Sequence, residues 1–387
     1  MYFLVPIYSF LAFVARFFFT EKLSKEVKTY IYVFSYIPII FILLYIAGLR
    51  DITIGTDTAH YGEIFNNPDD IEIGYKLTAE FIKYIGGGFH LFLFLFFFLS
   101  LSLKLYVFRK ISLYPLLSIC IYSSFWFLVY EMNGIRQGLA LGFIALSYYF
   151  LIVNKKWDFY LSLLGGILFH YSALIFLPII FIIRKKCTKT FFFITFSIIF
   201  LFAYLGATTF LLESLGSIIG VDLRLVERIL SYQHNEAFNS NILYSFSTFV
   251  RLLLFFTTYF FIDRVNLSEK TKNIFLWCAL LNISIYLLFS EVEIIATRLS
   301  LYYRFYECFF LACLPNAFKG KSIKIFVGFL LFLYTISQII KILIIPNNDL
   351  VPYKSMIVNT YCALFPPIPL CIRLDEGLQR YTIFKNF

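Results

Sequence analysis

The run Arg50-Asp51-Ile52-Thr53-Ile54-Gly55-Thr56-Asp57-Thr58-Ala59-His60-Tyr61 gathers a guanidinium, two carboxylates, an imidazole and a phenol within a dozen positions. Gly55 permits a tight turn, and Asp57 and Tyr61, four residues apart, would share one helix face. A carboxylate held there could act as a general base or orient a hydroxyl; capping of a helix by Thr56 or Asp57 is the competing reading. A second run, Glu131-Met132-Asn133-Gly134-Ile135-Arg136-Gln137-Gly138, puts Arg136 in the first turn of a following apolar helix. Backbone donors there already favour anions, so helix end and guanidinium could grip one phosphate together. Gly138, Gly142 and Ala145 offer that helix a close-packing face. Farther on, Arg251 lies about ten residues into an apolar run with Ser247 and Thr248 one turn earlier, where it must line a wet cavity or find a partner. Arg298, Tyr302 and Tyr306 recur at helical spacing as one polar stripe, whereas Arg304 points elsewhere and has Glu307 three residues on as a candidate ion partner.

The elements that position these groups are membrane helices. The 387 residues are 60% hydrophobic, 21% aromatic and 14% charged, with mean hydropathy +0.82. A soluble fold needs roughly 25% charged residues, so soluble enzymes, nucleic-acid modules and disordered scaffolds are poor candidates. Apolar stretches able to cross roughly 30 Å of hydrocarbon lie at residues 2–19, 29–49, 89–108, 113–130, 134–153, 190–206, 242–262, 273–290, 299–315 and 325–345. A weaker stretch at 355–372 carries Pro366, Pro367 and Pro369 and would be kinked. The expectation is an all-α, polytopic integral membrane protein of about 11 transmembrane helices, one transmembrane domain over residues 1–387. The first run lacks a basic leader and a small-residue cleavage site and reads as a retained span.

Lys and Arg favour the cytoplasmic side, which places the N-terminus outside and the C-terminus inside. Lys104, Arg109 and Lys110 then fall inside, the link Glu131 to Arg136 outside, and Lys155 and Lys156 inside. Arg184, Lys185, Lys186 and Lys189 also demand the inside, too soon after Lys156 for two full crossings. A re-entrant helix pair over residues 158–183, broken near Gly165, Gly166 and His170, resolves the conflict; one long span with inverted charge bias is the rival. The break would turn His170 towards a cavity. The outer loops are then 50–88, with an interfacial helix over 75–85 closed by Gly86 to Gly88, and 207–241.

The net charge of +10 divides by side. The inner set is lysine-rich, while the outward set is biased to arginine: Arg50, Arg136, Arg224, Arg228, Arg251, Arg298 and Arg304. Topology is indifferent to the kind of cation, but phosphate recognition prefers the paired donors of a guanidinium. The bias suggests a phosphate or pyrophosphate site opening outward; interfacial snorkelling is the plainer explanation. Cys120, Cys278, Cys308 and Cys313 lie in apolar runs as ordinary buried thiols, and four His with no HExxH or Cys/His cluster make a dedicated transition-metal site improbable.

Taken in order, several segments resemble the EpsG-type polysaccharide polymerases, relatives of the Wzy O-antigen polymerases. The resemblance rests on Arg50 with Gly55-Thr56-Asp57 and Tyr61, on Glu72-Ile73-Gly74-Tyr75, and on Asn133 with Ile135-Arg136-Gln137 and Ala140. It continues in Phe169-His170-Tyr171-Ser172-Ala173 and in Arg298 with its tyrosine-rich helix; the second half matches mainly in style. It implies a GT-C-like architecture in a bacterial plasma (inner) membrane and glycosyl transfer at the outer face, in lipopolysaccharide or other polysaccharide biosynthesis. The growing chain would be donor and a single undecaprenyl-diphosphate-linked repeat unit acceptor, with inverting and retaining outcomes both open. The implied partners are these lipid-linked glycans, membrane lipids, a chain-length regulator and a flippase, with no cofactor and no nucleic acid. Arg136, Arg298 and Arg251 would bind diphosphate, with Arg50 and Arg304 assisting. His170 or Asp57 would be the base, and Tyr61, Gln137 and Tyr302 would position substrate.

Three rivals remain. A transferase using a polyprenyl-monophosphate sugar could hold a divalent cation on Asp57, Asp69 and Asp70. A lipid-glycan flippase or transporter would also suit mid-membrane arginines, although the halves show no internal repeat. An O-acyltransferase would use His170 as base.

Overall fold

The computed structural model describes residues 1–19, 24–69, 71–206, 242–345 and 349–356. The loop expected at 207–241, with Arg224 and Arg228, lies outside the described residues, as do Asp70 and nearly all of the weak stretch at 355–372. Among the described residues the fold is all helical, and extended pairing is confined to one isolated bridge between Arg50 and Ser355.

The helices run in chain order as α1 (Leu4–Phe19), α2 (Lys25–Leu43, continued by a π turn Leu44–Gly48), α3 (Thr58–Asn66), α4 (Ile73–Tyr84), α5 (Phe89–Ile111), α6 (Pro115–Tyr122) and α7 (Ile135–Ile152). They continue as α8 (Lys156–Phe169), α9 (Ile179–Ile182), α10 (Lys189–Tyr204), α11 (Phe246–Phe261), α12 (Glu269–Leu288), α13 (Glu293–Arg304), α14 (Glu307–Cys313) and α15 (Lys321–Ile344). Among the described residues, five helical segments, built on α5, α7, α11, α12 and α15, are long and apolar enough to cross a membrane, and five shorter apolar helices accompany them. Each of the ten stronger apolar runs is helical, because a chain in hydrocarbon must satisfy its peptide groups internally.

Two compact units form. The first comprises Met1–Leu105, Ile119–Gly142 and Gly328–Phe387, the second Tyr106–Ser118 and Phe143–Val327. In the first unit α1 packs on α15, with the Phe10 and Phe332 rings stacked at 4.8 Å. The Phe13 ring fills the space that a side chain at Gly328 would occupy. α4 buries Gly74, Tyr75, Ala79 and Ile82 and exposes Ile73, Leu77, Phe81 and Tyr84 on its other face. Three apolar side chains at i, i+4 and i+8, with Tyr84 beside them, suit an interfacial helix, and Gly86 beyond it takes φ 78°. In the second unit α12 is the central helix, buried on nearly every face by Ile274 to Leu287.

Two expected spans are interrupted. Residues 113–130 break after Tyr122, where the Ser123 and Ser124 hydroxyls donate to the carbonyls of Cys120 and Ile121, both at 2.7 Å, before a π turn over Trp126–Glu131. Residues 299–315 break between α13 and α14, and the Tyr148 hydroxyl serves the carbonyls of Tyr302 and Tyr303 at 3.0 and 2.9 Å. The break also dissolves the expected stripe: Tyr302 meets Ser172 at 2.9 Å, whereas Tyr306 meets Thr258 at 2.8 Å.

Over residues 156–184 the chain folds back on itself. α8 runs through both Gly165 and Gly166 and ends at His170, which is extended at φ −159°, ψ 114°. Gly165 serves packing instead of a break, since a Cβ there would sit 2.6 Å from the Phe143 ring. A 3-10 turn over Tyr171–Phe176 then returns Phe176 to the Phe159 ring, with centroids 6.4 Å apart. Asn154 before the hairpin accepts from Lys270, and the Lys185 carbonyl after it accepts from Asn273 and Trp277 at 3.2 and 2.9 Å. Both ends thus meet the first turns of α12.

Tyr148→Phe should remove the one hydroxyl proton that the Tyr302 and Tyr303 carbonyls share at the α13 break, at a cost of about 1–3 kcal/mol. Thermal unfolding in detergent should show a lowered midpoint, whereas Tyr171→Phe, exposed at the hairpin tip, should leave it unchanged.

Candidate functional site

In the first unit the two chemistry-bearing runs are docked on each other. Gly55 takes φ 90°, and a side chain on it would strike the Met132 carbonyl and come within 2.7 Å of Asn133 Oδ1. Only glycine admits so close an approach. The Thr56 amide donates to Asn133 Oδ1 at 3.1 Å, and the Gly55 amide to the Asp349 carbonyl at 3.1 Å. Arg50 is fully buried and ties the pieces together: Nη1 donates to the carbonyls of Ala47 and Glu131 at 2.9 and 3.1 Å, and Nε to Thr58 Oγ1 at 3.3 Å. Burial pulls its guanidinium down to about 10, opposed by Tyr353, Tyr2 and Glu131, and it remains charged at neutral pH. Its Nη2 has no hydrogen-bond partner. Arg50 thus joins the two runs from a buried position.

Arg136 stands at the start of α7 with Glu72 as its counter-ion through Nη1 and lies over the Tyr61 ring at 5.6 Å. Tyr61 is buried, which raises its phenol above the ordinary value against the pull of Arg136, and its carbonyl accepts from the Tyr75 hydroxyl at 2.8 Å. Two side-chain donors on consecutive residues of this turn, Arg136 Nε and Gln137 Nε2, are buried without a partner. Asp57 is exposed; it sits at the N-cap position of α3 but makes no capping bond, and its Oδ1 accepts from Thr56 Oγ1 at 3.1 Å. Asp69 is paired with Lys76 at 3.2 Å. Among the described residues no three His, Cys, Asp or Glu side chains gather as a metal-ligand group.

The turn carrying Arg136 is recessed. Ser100 Oγ, eleven positions into α5 and so about 16 Å from its start, bonds Glu131 Oε1 at 3.1 Å and the Gly138 carbonyl at 3.2 Å. Lys104 joins the same cluster, donating to Ser100, Glu131 and the Gly138 carbonyl, and Tyr122 donates to Glu131 at 2.9 Å. The side chains of Lys104 and Glu131 are 1% and 3% exposed. Lys104 is thus not a surface charge that votes on orientation, and the link from Glu131 lies beside the middle of α5 instead of at its end. Gly138 allows this contact, because a side chain there would strike the Tyr130 carbonyl. Glu72, Lys104 and Glu131 are site residues that the sequence reading assigned no such role. Lys104 is marked only as a charge inside an apolar run, whereas Glu72 and Glu131 stand in motifs without a role of their own.

The second unit holds the remaining candidates. Arg251 is buried across three helices, bonding Asn282 Oδ1 at 3.3 Å and Ser300 Oγ at 3.1 Å and lying 3.9 Å over the Tyr286 ring. Arg304 is buried with Glu307, whose carboxylate oxygens accept from Nε at 3.2 and 3.1 Å, so its charge is neutralised as an ion pair. Arg298 is exposed on α13. His170 is half-buried at the tip of the hairpin, and Tyr302 is buried next to Ser172.

Among the described residues the chain is all helical, with helices apolar enough to span a membrane, which defines the class of polytopic helical membrane proteins. The EpsG family model matches residues 32–355, and the chain belongs to that family. It is a membrane protein of the polysaccharide-polymerase type, a family associated with glycosyltransferase activity. No curated protein and no solved structure matches it.

Lys104→Met should cost about 3–5 kcal/mol by stranding the Glu131 carboxylate in a buried site. Lys104→Met combined with Glu131→Gln should recover more than half of that loss, measured as the midpoint of unfolding in mixed micelles.

Proposed function

We propose that the protein polymerises lipid-linked glycans: a growing chain on a polyprenyl diphosphate is transferred to the hydroxyl of a single lipid-linked repeat unit at the outer membrane face. The observation that carries this reading is the pair of unpartnered buried donors, Arg136 Nε and Gln137 Nε2, in the first turn of α7. The first N–H groups of a helix have no intrahelical acceptor, and with these side chains they make a preorganised seat for an anion.

In the transfer an acceptor oxygen forms a bond to the anomeric carbon as the bond to the diphosphate oxygen breaks. Negative charge grows on the leaving diphosphate, and donors fixed beforehand stabilise it without reorganising. Arg136 is assigned to that oxygen, with Gln137 beside it and Tyr61 shaping the floor under the guanidinium. Arg298 is assigned to diphosphate as the exposed arginine of α13. Arg251 and Arg50 are assigned to holding the scaffold, and Arg304 is released from the binding set by its pairing with Glu307. The acceptor proton passes to His170 or Asp57. His170 is favoured by its place at the tip of a hairpin proposed to be re-entrant, where a break in helical backbone is tolerated if it lines a cavity.

In a null strain complemented with variants, Arg136→Ala should shorten the glycan ladder to single repeats, a rate loss of about 100-fold or more for a missing charge-stabilising donor. A normal ladder from Arg136→Ala would sink the diphosphate assignment. If His170→Ala and Asp57→Ala both leave long chains intact, neither residue is the base.

A further inference from the structure

At the lysine-rich end of the second unit a cavity of about 200 Å³ is lined by Phe150, Leu151, Phe159, Ile180 and Ile183, with Asn154, Lys155, Lys156, Arg184 and Lys270 completing it. The cations come from three places: the turn between α7 and α8, the return end of the hairpin, and the first turn of α12. Asn154 takes a left-handed φ of 64° and accepts from Lys270, which fixes that ammonium at the cavity. No carboxylate lines it. Asp158 is 3.9 Å from Lys155 with both side chains well exposed, a pair of little weight, and Glu269 is engaged by Lys272 at 2.9 Å.

An orientation signal requires only that lysines lie on one side; it does not require them to converge on a hollow. The apolar flank narrows the ligand further. Trp157, Leu161, Leu164 and Leu168 follow one another along one stripe of α8, all exposed, with Trp157 81% exposed and next in sequence to the cavity-lining Lys156. Tryptophan sits at headgroup depth, and the leucines below it offer a track for hydrocarbon. A soluble phosphate would need the cations but not the stripe.

We propose that this cavity binds an anionic phospholipid, its phosphodiester held by Lys156, Arg184 and Lys270 and an acyl chain lying along Leu161, Leu164 and Leu168. The lipid would fasten both ends of the hairpin to α12. The inference stands apart from the polymerase reading, since it concerns a different site and a different ligand.

The test uses the full-length protein in phosphatidylcholine nanodiscs with and without phosphatidylglycerol, counting lipid retained after detergent exchange by native mass spectrometry. Each interfacial cation contributes about a factor of five, so the triple variant Lys156→Gln/Arg184→Gln/Lys270→Gln should lose phosphatidylglycerol about 100-fold. Arg184→Gln alone, an exposed change that leaves folding intact, should lose it about fivefold. A control triple, Lys319→Gln/Lys321→Gln/Lys324→Gln, should retain it; equal loss from the control would reduce the effect to bulk charge and overturn the site. Displacement of the lipid by inorganic phosphate, or retention unchanged in Leu161→Asn/Leu168→Asn, would show a free-phosphate site and overturn the lipid proposal.

Discussion

The first unit depends on a pair of opposite charges buried together, Lys104 and Glu131. Neither could be transferred alone from water into this interior; the cost is several kcal/mol per ion even after relaxation. Held together, they leave lone pairs and protons to satisfy, and Ser100, Tyr122 and the Gly138 carbonyl do so. Those extra bonds fix the geometry. They pin the turn 131–138 against α5 from both sides of the pair, through the Glu131 side chain and the Gly138 backbone. Once the turn is pinned, the Glu131 carbonyl is in place for Arg50 and the Asn133 amide oxygen for the backbone of Thr56. The run 50–61 therefore takes its position from an ion pair to which it contributes no charge.

The same chain of constraints explains why the candidate residues divide by role. Arg50, Arg251 and Arg304 are all buried, and their donors go to carbonyls, hydroxyls, an amide or a carboxylate. A guanidinium used this way joins segments that hydrophobic packing alone would leave free to slide. Arg136 combines a counter-ion, Glu72, with an unpartnered donor, and Arg50 shares only the second feature, through its Nη2. A cation so balanced is stable without ligand and still able to donate.

The positions of the helices were legible in the sequence because hydrocarbon imposes a length and demands internal hydrogen bonding, and both leave long apolar runs. The pairing of Arg304 with Glu307 was legible for a similar reason, being local in sequence. The interruptions were not. α6 stops where two serines turn back on their own helix, and α13 stops where Tyr148, more than 150 positions earlier, supplies a hydroxyl. Lys104 was misread because the positive-inside rule treats every lysine near a span end as solvated, and only a three-dimensional partner reveals the exception. The glycines at 165 and 166 suggested a break, yet the helix runs through both, Gly165 packs closely on Phe143, and the break falls at His170.

The geometry at Arg136 bears on why an arginine, not a lysine, stands at this turn. A guanidinium is a flat fork with distinct edges; Glu72 accepts from Nη1, while Nε has no partner. The edge bearing Nε is left over, and under the proposed diphosphate role a phosphate oxygen would add there without first expelling the carboxylate. A lysine ammonium is a point charge with no such division. Paired with Glu72, it would present the same charge to both anions and force an exchange. Exchange would strand a buried carboxylate, 5% exposed, at the moment a dianion arrives beside it. The fork avoids that repulsive state, and the Tyr61 ring below it holds the plane in which the free edge points.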